Sequence, residues 1–416
     1  MAEYYHRGGR FMGRGRGGYR GRGRGCGPFT RPMSEAAASQ DPDNTFEIQR
    51  SHKYCGAAPL LEQPQVLGGY SIDEDRTFGH DCTMLKFLDR KYLPENGKMK
   101  VSLDLNKGID KACRYIGNSE ESFHNLLKWI LNNKDCLMNK TEPQRLDVDF
   151  ISLRRPLTTI MRSPYNFNES WVIYAVEFMG SIYFLKEKGD NFLVHQNQAT
   201  FRNCFEVWGH KFEDYMCGGD PEGGIQANEE YRCVLKVMMD QTTMVFAPEV
   251  DCADPYLYEE GFKDLSGFVM VKCCRELTED YKIKTHKRHK LCQWWAENKL
   301  SGIPRILTGY RNDDGIVHTL ELYETDDLPE MAEGEWEAAV SFNFCAKFLD
   351  FVKSKIKADP SAVYKFEREK KGNIYCTKVK DSSQIKILPD WYTNHLFSED
   401  TDDEDTDDEY LCENTN

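Results

Sequence analysis

The chain has 416 residues, 40% of them hydrophobic and 12% aromatic, which is enough to bury a large core and excludes disorder throughout. Its formal charge of −14 is unevenly placed: residues 1–32 hold eight arginines and one glutamate, residues 398–416 hold ten acids and no base, and −11 remains between them. No apolar run reaches the length of a membrane span, and no charged start leads into an apolar stretch, so the sequence predicts an intracellular protein whose fifteen cysteines are mostly reduced thiols.

In chain order, residues 1–44 open with arginines spaced by glycine and interrupted by Phe11 and Tyr19. This composition is expected to be a disordered tail whose guanidinium groups suit phosphates and stacked bases. Phe123, Leu126, Leu127 and Ile130 then mark one apolar face of a helix. WVIYAVEFM and IYFLK read as strands joined at Gly180-Ser181. Phe201, Phe205, Trp208, Phe212 and Tyr215 line a second helix. A strand beginning near Thr243 runs into FAPEVDCAD, and FVMVKCC, from Phe268, reads as a buried strand carrying a single charge, Lys272. His286, His289 and Cys292 lack a fourth partner for a zinc site. RILTGY and IVHTLELYE flank the turn Asn312-Asp313-Asp314-Gly315, and Phe344, Phe348, Phe351, Val352 and Ile356 mark a third helix before Pro360. Residues 396–416 form an acidic, solvated tail. The span 45–395 shows no linker and no repeat, and is expected to be a single α/β domain with mixed sheets and flanking helices.

The acids define the chemistry. Glu249 and Asp251 stand two apart, so on a continuous strand they share a face, and Glu213 follows the apolar Phe212 on the second helix. Clustered carboxylates without a base repel each other, favouring raised pKa values or a hard cation such as Mg²⁺ or Mn²⁺. Lys272, on the next strand, can reach the same edge. Acids that hold a divalent ion and a lysine that orients water are the parts of a metal-dependent nuclease.

The blocks FISLRRPLTTIMRSPY, EVWGHKFEDYMC, EVDCADP, FVMVK, RHKLCQWWAENKLSGIPRILTGYRNDDG and SFNFCAKFLDF, in this order over most of residues 60–380, resemble the eukaryotic decapping nuclease family, the DXO-like enzymes. The resemblance implies two mixed β-sheets flanked by helices, related to the PD-(D/E)XK nucleases. It also implies removal of incomplete, unmethylated or NAD caps from RNA 5′ ends, 5′-to-3′ degradation in many members, and a nuclear place in mRNA quality control. By the same resemblance Glu213, Glu249 and Asp251 match the metal-binding acids, with the backbone carbonyl of Val271 as a further ligand. Lys272 matches the site lysine, Arg154 a substrate arginine, and Cys233 a residue whose backbone meets substrate.

Two positions depart from the pattern. Met270 stands where the family carries the glutamate of Glu-x-Lys, and a soft, neutral thioether is a poor ligand for Mg²⁺ or Mn²⁺. Glu297 stands where the family has a glutamine at the substrate phosphate. Two functions from different classes therefore stay open: a metal-dependent decapping hydrolase, and a degenerate relative that binds or shields RNA 5′ ends and recruits partners without cutting. The expected partners are RNA 5′ ends and, as an open alternative, a 5′-to-3′ exoribonuclease or other protein, with no membrane.

Overall fold

The hairpin signals in the sequence become interior strand pairs of two sheets. The computed structural model describes residues 42–113, 117–142, 144–187, 202–258, 264–380 and 385–396, without the side chains of 202–206. The Arg/Gly-rich opening, the acidic end, Phe201 and the Phe205 side chain lie outside the described residues.

Trp171–Phe178 (β6) and Ser181–Lys186 (β7) pair antiparallel, with Phe178 opposite Ser181. The two-residue loop is therefore Met179-Gly180, one position earlier than expected, with both residues at positive φ, 53° and 77°. Turns of this kind match the strand twist, and glycine tolerates the second position freely. Arg305–Arg311 (β12) and Ile316–Glu324 (β13) pair as the sequence suggests.

The remaining strands are Thr45–Phe46 (β1), Gln65–Ile72 (β2), Phe78–Gly79 (β3), Lys98–Asp104 (β4), Phe150–Ser152 (β5), Glu230–Met239 (β8), Thr242–Phe246 (β9), Cys252–Ala253 (β10), Phe268–Arg275 (β11), Tyr364–Arg368 (β14) and Ile374–Lys378 (β15). Among the described residues they build a ten-stranded sheet in the order β1-β15-β14-β6-β7-β5-β9-β8-β2-β3 and a five-stranded sheet in the order β10-β11-β12-β13-β4. Both are mixed: β5 runs parallel to β7 and β9, and β11 runs parallel to β12, within otherwise antiparallel neighbours.

Alternation assigns each strand's residues to different cores. Phe268 and Met270 of β11 join a central core with Phe150 and Phe184 of the large sheet, Leu157 and Ile160 of the helix Arg154–Arg162, Trp294 and Trp295 of the helix Cys292–Ser301, and Phe344 and Phe348 of the helix Ala338–Ala358. These helices and Ser119–Asn132, Arg202–Met216, Asp280–Thr285, Leu328–Met331 and Asp390–Leu396 are numbered in chain order. Thus α1 is Ser119–Asn132, α2 Arg154–Arg162, α3 Arg202–Met216, α4 Asp280–Thr285, α5 Cys292–Ser301, α6 Leu328–Met331, α7 Ala338–Ala358 and α8 Asp390–Leu396. The apolar face of α1 buries Phe123, Leu126, Leu127 and Ile130 in a second core with Tyr70 and Tyr183 of the large sheet. Val269 and Val271 point the other way, into a third core with Trp208, Phe212 and Tyr215 of α3.

One close approach sets the height of α3 over the small sheet. At Gly309 of β12 an added Cβ would run into the ring of Phe212. A side chain there would lift the helix. Burying a phenylalanine of this kind contributes about 1.5–3 kcal/mol, and it fixes the position of the next residue, Glu213.

Candidate active site

The three acids arrive by different routes. Glu213 is carried on α3, behind Phe212. The strand β9 ends at Phe246, so Glu249 and Asp251 do not share one strand face as the sequence suggests. Instead, Pro248 accepts the Cys233 N–H at 3.1 Å and Val250 donates to the Tyr231 carbonyl at 3.0 Å, laying 248–250 alongside β8 with Glu249 opposite Arg232. The proline breaks the ladder and the chain crosses to the small sheet, where Asp251 stands just before β10.

Asp251 is the hub. Its side chain is only 9% exposed, and its Oδ2 accepts the Val271 N–H at 2.7 Å and the Lys272 ammonium at 3.2 Å. Burial raises its pKa and Glu213 adds to the rise, against the pull of Lys272, the Val271 N–H and Arg154. Glu249, with 45% of its side chain exposed, is pushed up to about 7 by desolvation and by Glu230, Asp251 and Glu213, while Arg232 opposes. Glu213 lies 3.3 Å from His210 Nδ1, one helical turn back, and that contact raises the histidine's pKa despite its desolvation.

The cationic side is better balanced. For Lys272 the cost of burial is outweighed by Asp251, then Glu297 and Glu213, so its charge is held more firmly than usual. Glu297 on α5 accepts Gln293 Nε2 at 2.8 Å. Burial pushes its carboxyl up, but Arg154, Lys272, Gln293 and Arg162 together hold it below the usual range. Arg154 opens α2, and its Nη1 is buried without a hydrogen-bond partner among the described residues. A buried guanidinium nitrogen without an acceptor invites an anion.

The other expected residues are placed as follows. Met270 is 1% exposed in the central core, opposite Ile306 on β12 and, by alternation, on the same face as Lys272. Cys233 is fully buried, burial pushes its thiol up, and its N–H is taken by Pro248. Val271 meets the site through its N–H, while its side chain is packed in the third core.

Sequence reading missed His210 and Arg232, although each stands next to a residue it singled out. The i,i+3 spacing to Glu213 was a signal for His210. Nothing in the sequence marks Arg232 as the neighbour of Glu249. Arg232 also joins a buried network: its Nε donates to Glu230 at 2.7 Å, Glu230 is gripped by Arg76, and Arg76 Nε reaches Glu121 in the first turn of α1 at 2.8 Å.

By donor chemistry the acids fit a divalent cation: hard carboxylate oxygens, pushed up first by desolvation and then by neighbouring acids, whose mutual repulsion a dication would relieve. Their spacing is open, and among the described residues no group of three or more His, Cys, Asp and Glu is gathered closely enough to hold a metal as it stands.

Comparison with known proteins agrees with the fold. A family model described as RAI1 like PD-(D/E)XK nuclease matches residues 62–393. The decapping and exoribonuclease protein of Mus musculus is 31% identical over 356 residues, spanning 82% of this chain and 87% of the relative. Among solved structures, Scheffersomyces stipitis Rai1 in complex with (3′-NADP)⁺ and calcium ion superposes with a TM-score of 0.72 at 19% identity, covering 85% of this chain and 99% of the other. Candida albicans Rai1 in complex with pU5-Mn²⁺ superposes at 0.70 and 20% identity, covering 85% and 98%.

Proposed function

The chain belongs to the RAI1-like PD-(D/E)XK nuclease family, and from that premise we propose that it acts on RNA 5′ ends as a decapping hydrolase. Incomplete, unmethylated or NAD caps are its substrates, further 5′-to-3′ degradation follows, and the nucleus is its place of work. The observation that carries the reading is the pairing of Arg154 Nη1, buried without an acceptor, with the Lys272–Asp251 ion pair beside further acids. Arg154 binds a phosphate oxygen near the reacting bond. Lys272, held by Asp251, keeps its charge and orients the attacking water or steadies the phosphate. Glu213, Glu249 and Asp251, with the Val271 carbonyl, would hold Mg²⁺ or Mn²⁺, which when bound polarises a phosphoryl oxygen and makes hydroxide available near neutral pH. Glu297, its charge matched by Arg154 and Lys272, adds to the field that keeps Lys272 charged.

A second reading, end binding without cleavage, is favoured by one observation: Met270 is packed in the core and offers no oxygen where the family carries a carboxylate. The test is incubation of the purified full chain with capped, NAD-capped and 5′-monophosphate RNA in Mg²⁺ and in Mn²⁺, with Lys272→Ala as control. Cap release or shortening that disappears in the control supports the hydrolase. Tight 5′-end binding with no product in either ion selects the second reading.

A further inference from the structure

Most large apolar side chains of the described residues are buried, but Phe87, Tyr256 and Leu257 are exposed at 45%, 76% and 46%, and Phe87 is bridged to Ala253, three residues before Tyr256. In that bridge the Leu88 N–H donates to the Ala253 carbonyl at 2.8 Å and the Ala253 N–H to the Lys86 carbonyl at 2.9 Å. The Arg90 guanidinium lies 4.3 Å from the centroid of the Tyr256 ring and 3.8 Å from the Asp254 carboxylate. Phe87 meets Tyr258 edge-on at 5.6 Å, and Tyr258 stacks on Phe268 at 6.0 Å. Phe87 therefore rests on a packed aromatic base at the β10 edge of the small sheet, and Tyr256 lies against Arg90 beside it.

We propose that Tyr256 and Phe87 form a stacking platform for the bases of single-stranded RNA, a few nucleotides from the phosphate-binding groups. This rests on RNA being the substrate, as argued above. Every base has a π-face, so exposed aromatic rings bind a single strand with little regard to sequence, and partly exposed cations beside them engage the phosphates between the bases. Lys86, Arg90 and Lys91 supply those cations: each is paired with a carboxylate, of Glu229, Asp254 and Asp89 respectively, yet keeps 38%, 44% and 61% of its side chain exposed. A guanidinium on the tyrosine ring also makes it a stiffer platform than a lone side chain.

The chain itself limits how far the platform can lie from the site. Asp251 is two residues before Ala253 and five before Tyr256. At no more than about 3.6 Å per residue, the Cα of Tyr256 is within about 18 Å of that of Asp251. Phe87, opposite Ala253, is nearer still. A strand of a few nucleotides spans this distance, so an RNA whose 5′ phosphate meets Arg154 and Lys272 can lay its next bases on these rings.

The test compares a 5′-phosphorylated uridine mononucleotide with a 5′-phosphorylated oligouridine of about ten nucleotides, titrated against the full chain in EDTA. Stacking of one base predicts that Tyr256→Ala weakens oligouridine binding by about 5- to 150-fold. Mononucleotide binding and the melting temperature should stay as in wild type, because the ring is largely in solvent. Tyr256→Phe should retain wild-type affinity, and Phe87→Ala should lose in the same direction. Unchanged oligouridine affinity in Tyr256→Ala overturns the proposal. So does an equal loss in Tyr281→Ala, an exposed tyrosine on α4. A wild-type chain that binds neither probe overturns the RNA reading and the platform with it, whereas mononucleotide binding without a length-dependent gain overturns the platform alone.

Discussion

Glu230 and Glu249 both approach the guanidinium of Arg232, at 2.7 and 3.9 Å, yet their carboxyls are driven in opposite directions. Glu230 is buried between Arg232 and Arg76, and although burial alone would raise its pKa, the two cations outweigh it and hold it down. Glu249 faces Arg232 at longer range, and desolvation, with three other acids in its field, pushes it up to about 7. The first glutamate is a closed structural pair. The second carries unspent charge at a surface where a ligand can use it. Proximity to an arginine does not separate the two roles; exposure and the balance of neighbouring charge do.

The largest effect should separate them by function. Asp251→Ala is expected to lower any RNA 5′-end cleavage roughly a thousandfold, the scale of several kcal/mol of lost charge stabilisation, and to abolish the heat of Mn²⁺ binding while the fold stays intact. An unaltered calorimetric titration would move the site elsewhere. Arg232→Met should act on the other side of the contrast. Removing one partner of the buried network leaves Glu230 undercompensated and should cost about 3–5 kcal/mol in a denaturant titration. A loss below about 1 kcal/mol would mean that Glu230 is no more structural than Glu249.

Next in size, Met270→Glu places a carboxylate at a core position that points the same way as Lys272. It should lower stability by about 2–3 kcal/mol in EDTA, make the melting temperature more dependent on Mn²⁺, and raise cleavage above wild type. Equal melting temperatures with and without Mn²⁺ would show that the added acid does not reach the ion site. Glu297→Gln combined with it tests whether the helix acid hinders phosphate there.

The smallest effect is the pH dependence. Glu249 keeps its proton up to about pH 7 in the folded state but only to its ordinary 4.5 when unfolded. Stability contributed by its protonated form is therefore lost as pH rises from 4.5 through 7. Because the side chain is 45% exposed, the loss should stay below about 1 kcal/mol. Glu249→Gln should flatten the melting profile over that interval. Glu230 has the opposite sign: its contribution is present above pH 4.5 and lost as pH falls below it, so the two profiles bend at different ends.

Much of this was legible in the sequence, for identifiable reasons. The helical spacing of Phe123 to Ile130 and of Phe344 to Ile356 survives as α1 and α7, because a long amphipathic repeat has one good way to bury itself. The strands around Asn312-Gly315 survive because turn chemistry and alternation agree. The loop lies at Met179-Gly180, one residue before the expected Gly180-Ser181, because methionine as well as glycine adopts left-handed backbone here, which composition does not mark. The acids were identified but misplaced relative to each other. Periodicity treats Glu249 and Asp251 as one strand face, whereas Pro248 and the Cys233 and Tyr231 backbone bonds divert the chain between sheets. Arg232 was invisible because its role depends on a contact across that diversion.

Met270 has a consequence for descent as well as for chemistry. Its thioether lies in the same apolar cluster as Phe268 and Ile306, so neighbours there are selected for packing against a flexible hydrophobe rather than for room around an acid. Glutamate cannot be reached from methionine by a single base change; the two-step routes pass through valine, which leaves a gap in the core, or lysine, which buries a second cation beside Lys272. Either intermediate is less fit to fold than the present residue. The core itself thus guards the present residue, and substitutions at this position should be tolerated only toward another hydrophobe.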